Sequence, residues 1–278
     1  MTTGRLVLVS TPIGNLGDLS PRAVETLRAC SLICCEDTRH SGKLLSHAGV
    51  RGVRLAVANE FTELARTDEV LGLLAAGHDV AVVTDAGTPG ISDPGARLVR
   101  AAADAGYVVS AVPGPAALVM ALVISGFDST RFVFEGFLPR SGRERTDRIA
   151  EVAAERRTIV LYEAPHRVAR TVTDLAAACG QSRMVALTRE LTKLHEEVWR
   201  GTLADAGLHL AERAPRGEYV VVLEGAPAAG DADDATILTA LHMALSVGAD
   251  RRAAIATVIS GTGAAKRRVY DLALTIPR

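Results

Sequence analysis

The chain has 278 residues, 48% of them hydrophobic and 23% charged, which excludes a disordered polypeptide and supplies material for two buried cores. A formal net charge of -1, from 31 basic and 32 acidic residues, excludes a generally polycationic nucleic-acid binder, so any RNA contact must rest on a local basic patch. The apolar stretches are too interrupted to span a bilayer and the N-terminus lacks the charged-then-apolar order of a signal peptide, so a cytoplasmic protein is expected.

From the N-terminus, short β-rich runs alternate with helical patterns. "RLVLVS" precedes "LSPRAVETLRA", "SLICCED" precedes "TRHSGKLLSHAG", and "VRLAVANE" precedes "TELARTDEVLGLLAAG". "DVAVVTDAG" then precedes "DPGARLVRAAADAG", and "YVVSAV" precedes "GPAALVMALVISG". This alternation predicts an α/β fold with a mostly parallel sheet, and the continuously apolar strand runs predict helices on both of its faces. After Gly126 the pattern restarts with "RFVFEGFLP", an Arg-rich helix through Glu155, "RTIVLYEAPHR", a helix ending "AAACG", "MVALTREL" and a last strand "GEYVVVLEG". The reading is therefore two α/β domains, residues 1–115 and 116–228, divided near Pro113-Gly114-Pro115. Residues 229–278 follow as linker and small helical segment, the low-complexity run "APAAGDADDA" at 226–235 leading into helices that carry Arg251-Arg252 and Lys266-Arg267-Arg268. The four cysteines, Cys30, Cys34, Cys35 and Cys179, show no C-x-x-C spacing and read as core thiols of a reducing compartment.

Ligands of open α/β sheets bind outside the carboxyl ends of the strands, so the residues just after each apolar run carry the chemistry. The richest such loop is "TDAGTPGISDPG", Thr84 to Gly95. Its glycines, at 87, 90 and 95, fit neither G-x-G-x-x-G nor the P-loop, which disfavours a phosphate cradle. Asp93 followed by Pro94 predicts the N-cap and first residue of the next helix. Asp85 leaves the strand before a Gly-Thr-Pro-Gly segment that lets backbone approach a ligand, and an acidic group there suits ribose hydroxyls or a positive centre. S-adenosylmethionine has both, although Asp85 could equally bond its own loop amides.

Glu36 and Asp37 end the second strand, as an acid-base pair or as helix caps. "ALTRELTKLHEEVWRG" sets Glu190 and Lys193 among further charges, where the lysine could lower an alcohol's proton affinity, act as a desolvated base, or belong to an ion-paired loop. Arg140, Arg143, Arg145 and Arg148 fall within nine residues, suited to RNA phosphates or to the Arg/Glu pairs of a helix surface. His166 and His195 lack metal-ligand spacing, so no metal is expected, and no G-x-S-x-G nucleophile motif is present.

Together "STPIGNLGDLS", "CEDTRHSGKLL", "TDAGTPGISDPG", "PGPAAL", "FEGFLPR", "YEAPHR" and "RELTKLHEEVWRGTL" resemble the ribosomal RNA small subunit methyltransferase I group of the tetrapyrrole methylase superfamily, the class III methyltransferases, over roughly residues 5 to 224. The resemblance implies S-adenosylmethionine in a cleft between two α/β domains, a homodimer, and methylation of a cytidine ribose 2'-oxygen in the decoding region of 16S rRNA within the small ribosomal subunit. On this resemblance Asp85, Ala86, Gly87, Thr88, Pro89 and Ile91 form the cofactor loop, Ala116 and Ala117 a small-residue contact, and Pro12, Leu161, Tyr162, Ala186 and Leu187 further walls. Lys193 with Glu190, supported by Asn15 and Glu36, is the expected catalytic group, and the four arginines the expected RNA contact. A tetrapyrrole C-methyltransferase of the same superfamily and a noncatalytic RNA-binding module remain the alternatives.

Overall fold

The computed structural model describes residues 3–59, 62–227, 232–246 and 249–276. Residues 228–231 of the expected linker lie outside them.

The first sheet is built from β1 (Arg5–Val9), β2 (Leu32–Cys35), β3 (Arg54–Val57), β4 (Val80–Val82) and β5 (Val108–Val112), in the order β3-β2-β4-β1-β5. Every neighbouring pair is parallel. Helices α1 (Pro21–Ala29), α2 (Thr38–His47), α3 (Glu63–Ala75) and α4 (Ala96–Asp104) make the connections. The uninterrupted apolar runs follow from burial on two sides. In β2, Ile33 and Cys35 join the core beneath α1 and α2, while Leu32 and Cys34 join the one beneath α3 and α4. Burial pushes the Cys34 thiol up to about 12 and the Cys30 thiol to about 11, so both remain protonated core groups.

The chain then passes through Pro113-Gly114-Pro115 into α5 (Ala117–Ser125), which packs on the second sheet. That sheet comprises β6 (Phe132–Phe137), β7 (Thr158–Glu163), β8 (Met184–Arg189), β9 (Glu197–Thr202) and β10 (Tyr219–Leu223), ordered β6-β7-β10-β8-β9. Only β6 and β7 pair in parallel, and the other three pairs are antiparallel. The expectation of a mostly parallel sheet therefore holds for the first half alone. The difference comes from β9, a strand in the charge-rich segment after β8 that reverses the chain direction ahead of β10.

Helices α6 (Gly142–Ala154), α7 (Pro165–Cys179) and α8 (Leu203–Glu212) cover one face of this sheet over Ile159, Leu161, Leu187, Val221 and Leu223. The opposite face, with Val160, Ala186, Val220 and Val222, packs on α5 and on Ile13 of the first half. It is this face that looks toward the first sheet. At the C-terminal end α9 (Asp234–Ser246), α10 (Arg251–Thr262) and α11 (Lys266–Thr275) share a separate apolar core around Ile237, Leu241, Val258 and Val269. Among the described residues no helix is long and apolar enough to cross a membrane.

Candidate active site

In the first sheet β1 lies between β4 and β5, so the loops after these three strands converge on one edge. They are tied together. Thr11 and Gly87 form an isolated antiparallel bridge, with N–H to O distances of 2.8 and 3.1 Å. The Thr11 hydroxyl donates to the Thr84 carbonyl at 3.1 Å. Thr88 bonds Ser10 at 3.0 Å and donates to the Pro115 carbonyl at 3.1 Å. Gly114 must be small here, because a Cβ on it would meet the Ser10 side chain at 2.8 Å. The loop from Thr84 to Ile91 is thus held by backbone and hydroxyl groups, while Ala86 and Ile91 remain exposed.

Glu36, expected as a catalytic group, is used to hold this loop. Its Oε1 accepts from the Thr84 hydroxyl and, at 3.1 Å, from the Asp85 amide. Asp37 caps α2, accepting from the Arg39 amide at 2.8 Å. Asp85 itself has a buried Oδ1 with no hydrogen-bond partner. Burial first, then the charge of Glu36, raises its carboxyl above the ordinary range. A buried acceptor without a donor is costly, and this one does not bond its own loop amides, so it calls for a ligand hydroxyl or cation.

The expected N-cap role of Asp93 is not what the structure shows. Helix α4 begins at Ala96 after Gly95, whose φ of 127° is open to glycine, and it has no side-chain cap from its own segment. The capping acceptor is Glu63, buried at the start of α3, which takes the amides of Gly95 at 3.1 Å and Leu98 at 3.0 Å. Asp93 instead sits beside Glu36 and Asp85, and its carboxyl is raised to about 6 by burial and then by Glu36, against a hydrogen bond with Thr84. Among the described residues no group of three or more side chains suited to a metal comes together.

The second half faces this edge with two groups. Tyr162, at the end of β7, is clasped edge-on by Phe134 and Phe137 at centroid distances of 4.9 and 5.7 Å. Its hydroxyl accepts from the Leu118 amide at 3.2 Å, fixing the start of α5 beside Ala116 and Ala117. Ala186 lies on the same sheet face, and Pro12 is buried next to Ile13, which packs on it. Leu161 and Leu187, expected as walls, are corrected by strand parity: both side chains point into the core beneath α6 to α8, away from the cleft.

The other group is the loop between β8 and β9. Lys193 Nζ donates to Glu190 Oε1 at 2.9 Å and to Glu218 Oε2 at 2.7 Å. Burial lowers the lysine's proton affinity, but the hydrogen bonds and charges of Glu218 and Glu190 outweigh it and the net shift is upward. Lys193 is therefore a fixed cation at neutral pH, and the desolvated-base alternative falls away. Glu190 is correspondingly lowered, burial being overcome by Lys193 and the Glu218 amide, and stays ionised. The loop touches the first half directly: a Cβ on Gly14 would lie 2.3 Å from Lys193 Cγ. Asn15, next to Gly14, spends its Oδ1 on the Gly17 amide at 2.9 Å. Lys193 and Glu190 are thus joined as expected, whereas Asn15 and Glu36 are engaged elsewhere. Glu218 is the partner that sequence reading missed.

The four arginines divide. Arg145 is 4% exposed and bonds Asp174 at 2.7 and 2.9 Å, Thr171 at 3.0 Å and the Pro139 carbonyl at 2.9 Å. Its expected role as an RNA contact is replaced by that of a core strut. Arg148 pairs with Glu135 at 3.0 Å and Arg143 with Asp147 at 3.4 Å. Arg140 is exposed with an unpaired side chain.

The family model for Tetrapyrrole (Corrin/Porphyrin) Methylases matches residues 5–207. A Synechocystis sp. protein called ribosomal RNA small subunit methyltransferase I is 44% identical over 275 residues, covering 98% of this chain and 98% of the relative. A protein of the same name from Xylella fastidiosa is 49% identical over 227 residues, covering 81% of this chain and 83% of its own. Among solved structures the methyltransferase CobJ matches with a TM-score of 0.61 at 20% identity, over 83% of this chain and 97% of that one, a likeness of fold.

Proposed function

We infer that this chain, which belongs to the tetrapyrrole methylase family and within it to the ribosomal RNA small subunit methyltransferase I group, methylates the ribose 2'-hydroxyl of a cytidine in the decoding region of 16S rRNA. It is an S-adenosylmethionine-dependent rRNA methyltransferase; the atom and the nucleotide are the proposal, as are a small-subunit substrate, a homodimer and a cytoplasmic setting. We also take 1–115, 116–228 and 229–278 as its units.

The observation that supports the cofactor site best is the orphaned Oδ1 of Asp85, in a loop that Thr84, Gly87 and Thr88 tie to the neighbouring strand ends. A ribose hydroxyl or a cationic centre would complete it, and the exposed Ala86 and Ile91 with Ala116 and Ala117 leave room for close approach. Asp85, Ala86, Gly87, Thr88, Pro89 and Ile91 would hold the cofactor, with Tyr162 shaping the far wall. When bound, S-adenosylmethionine supplies a methyl already activated by its sulfonium. The chain's own residues then have to orient the ribose oxygen and make it easier to deprotonate, the hydroxyl proton passing to solvent water. Lys193, held charged by Glu190 and Glu218, can do the second: an ammonium beside a hydroxyl lowers the hydroxyl's proton affinity and stabilises the developing oxyanion.

The test uses small subunits and labelled cofactor. Lys193→Ala should cut the turnover by ~10²-fold with cofactor affinity unchanged in calorimetry, and Glu190→Gln should cut it less. Full activity in both variants would remove this assignment, and mass-spectrometric mapping of the methyl in rRNA decides the atom. A tetrapyrrole substrate is opposed by the relatives' shared name over nearly the whole chain, and a noncatalytic module gives no reason for the unsatisfied Asp85.

A further inference from the structure

We propose that the hollow between the β6–α6 loop and the first turns of α7 seats a backbone phosphate of the RNA, outside the nucleotide that is methylated. This rests on the RNA methyltransferase reading above. The hollow has a volume of about 380 Å³ and is lined by Arg140, Arg145, His166, Arg167, Arg170 and Thr171.

Its floor is rigid and already neutralised. Arg145 is fixed by Asp174 and Thr171, and Arg167 pairs with Glu163 at 3.1 Å. Three consecutive carbonyls of the loop are each taken by an arginine: Leu138 by Arg167, Pro139 by Arg145, and Arg140 by Arg170. Their negative ends are thereby covered, and the loop is held open. Glu163 and Asp174 are the acidic groups bonded to this lining, against four guanidiniums, so the hollow keeps an excess of positive charge. The excess is concentrated at the mouth. The side chains of Arg140 and His166 are exposed and unpaired, and Arg170 reaches Asp174 only at 3.7 Å. Guanidinium donors without a protein acceptor around a rigid concavity suit an oxyanion with several acceptor oxygens.

The position supports RNA over a free anion. Glu163 beneath the hollow and Tyr162 in the cleft are successive residues of β7, so they project from opposite faces of the same strand end. A single strand crossing that end would meet the phosphate seat and the methyl-transfer cleft together. Phosphate contacts of this kind fix register without reading sequence.

The experiment measures binding of a single-stranded RNA oligonucleotide, and of isolated small subunits, to the full chain by anisotropy across a salt series. The Arg140→Ala, Arg170→Ala double variant should bind both ~10-fold more weakly, and the slope of log affinity against log salt should shrink by about 0.7 for one lost phosphate. Arg140→Lys with Arg170→Lys should keep most of the slope, and cofactor affinity by calorimetry should not change. Wild-type affinity and slope in the double variant would overturn the proposal. If that variant does not fold, Arg140→Glu, at a side chain with no protein partner, carries the same expectation. Failure of the wild type to methylate small subunits would count against the activity, while the oligonucleotide slope would still decide the seat. Competition by inorganic phosphate without any effect of the variants on RNA would identify a free-anion site and refute the RNA assignment.

Discussion

Asp93→Asn should make the protein more stable at neutral pH. In the folded chain the Asp93 carboxyl is raised from an ordinary 3.8 to about 6, by burial and by the neighbouring Glu36 and then Asp85. The folded state therefore binds a proton more tightly than the unfolded one. The sign follows from linkage: the contribution is fully present below pH 3.8 and is lost as pH rises through about 6. At about 1.4 kcal/mol for each tenfold change in proton affinity, the ionised Asp93 costs about 3 kcal/mol at pH 8 and about half of that at pH 5. Solvent reaching the partly exposed carboxylate trims the pH 8 figure to about 2 kcal/mol. Asparagine keeps nearly the same shape and removes the charge. At ~2–4 °C per kcal/mol for a chain of this size, the thermal midpoint should rise by about 4–8 °C at pH 8, with a smaller gain at pH 5. Equal or lower midpoints at pH 8, or a gain that does not shrink on acidification, would refute the placement of Asp93 among like charges.

Two further outcomes test the scaffold of the site. Glu63→Ala removes the buried acceptor of the Gly95 and Leu98 amides and should destabilise the protein by ~1–3 kcal/mol in urea unfolding, because two buried donors at the start of α4 lose their partner. Gly14→Ala places a methyl where Lys193 Cγ now packs, so it should lower methyl-transfer turnover several-fold with little change in cofactor affinity, read by labelled transfer and calorimetry.

What the residues disclosed without coordinates depended on how local the signal was. Runs such as "SLICCED" and "DVAVVTDAG" announced their strands because burial on both faces leaves nothing but apolar residues. Strand β9 was hidden because "EVWRGT" lies at a sheet edge, where neither face is fully buried. Leu161 and Leu187 lie near strand ends but on the wrong parity for the cleft, since Tyr162 toward the cleft obliges Leu161 to turn away. Arg145 was also legible: with Ile149 and Val152 it occupies the buried stripe of α6 at helical spacing. Nothing local announced Glu63, which caps a helix more than thirty residues later in the chain, nor Glu218 as a partner of Lys193. The Asp93-Pro94 pair shows a genuine signal overridden, since the buried Glu63 carboxylate took the capping role and moved the helix start past Gly95.

The backbone itself marks the two cleft loops as places where stability has been given up. Ser92, Glu190 and Thr192 are the non-glycine residues with positive φ among those described, at 61°, 51° and 67°, and a residue held so costs ~1–3 kcal/mol. Ser92 belongs to the loop after β4 and the other two to the loop after β8, on opposite halves of the chain. Each is secured by its surroundings. Glu190 exchanges bonds with Glu218, amide to carbonyl at 3.0 Å and carboxylate from amide at 3.0 Å. Thr192 gives its amide to Glu196 at 2.6 Å, and Ser92 lies against Gly136, where a Cβ would come within 3.2 Å of its hydroxyl. The same two loops hold the unpaired Asp85 Oδ1 and Thr192 Oγ1, and one of them the raised carboxyls of Asp85 and Asp93. Strain and unmet hydrogen bonds therefore coincide on these two loops, with crowded negative charge on the first. A cationic ligand with hydroxyl groups is the kind of partner that would relieve the last two at once.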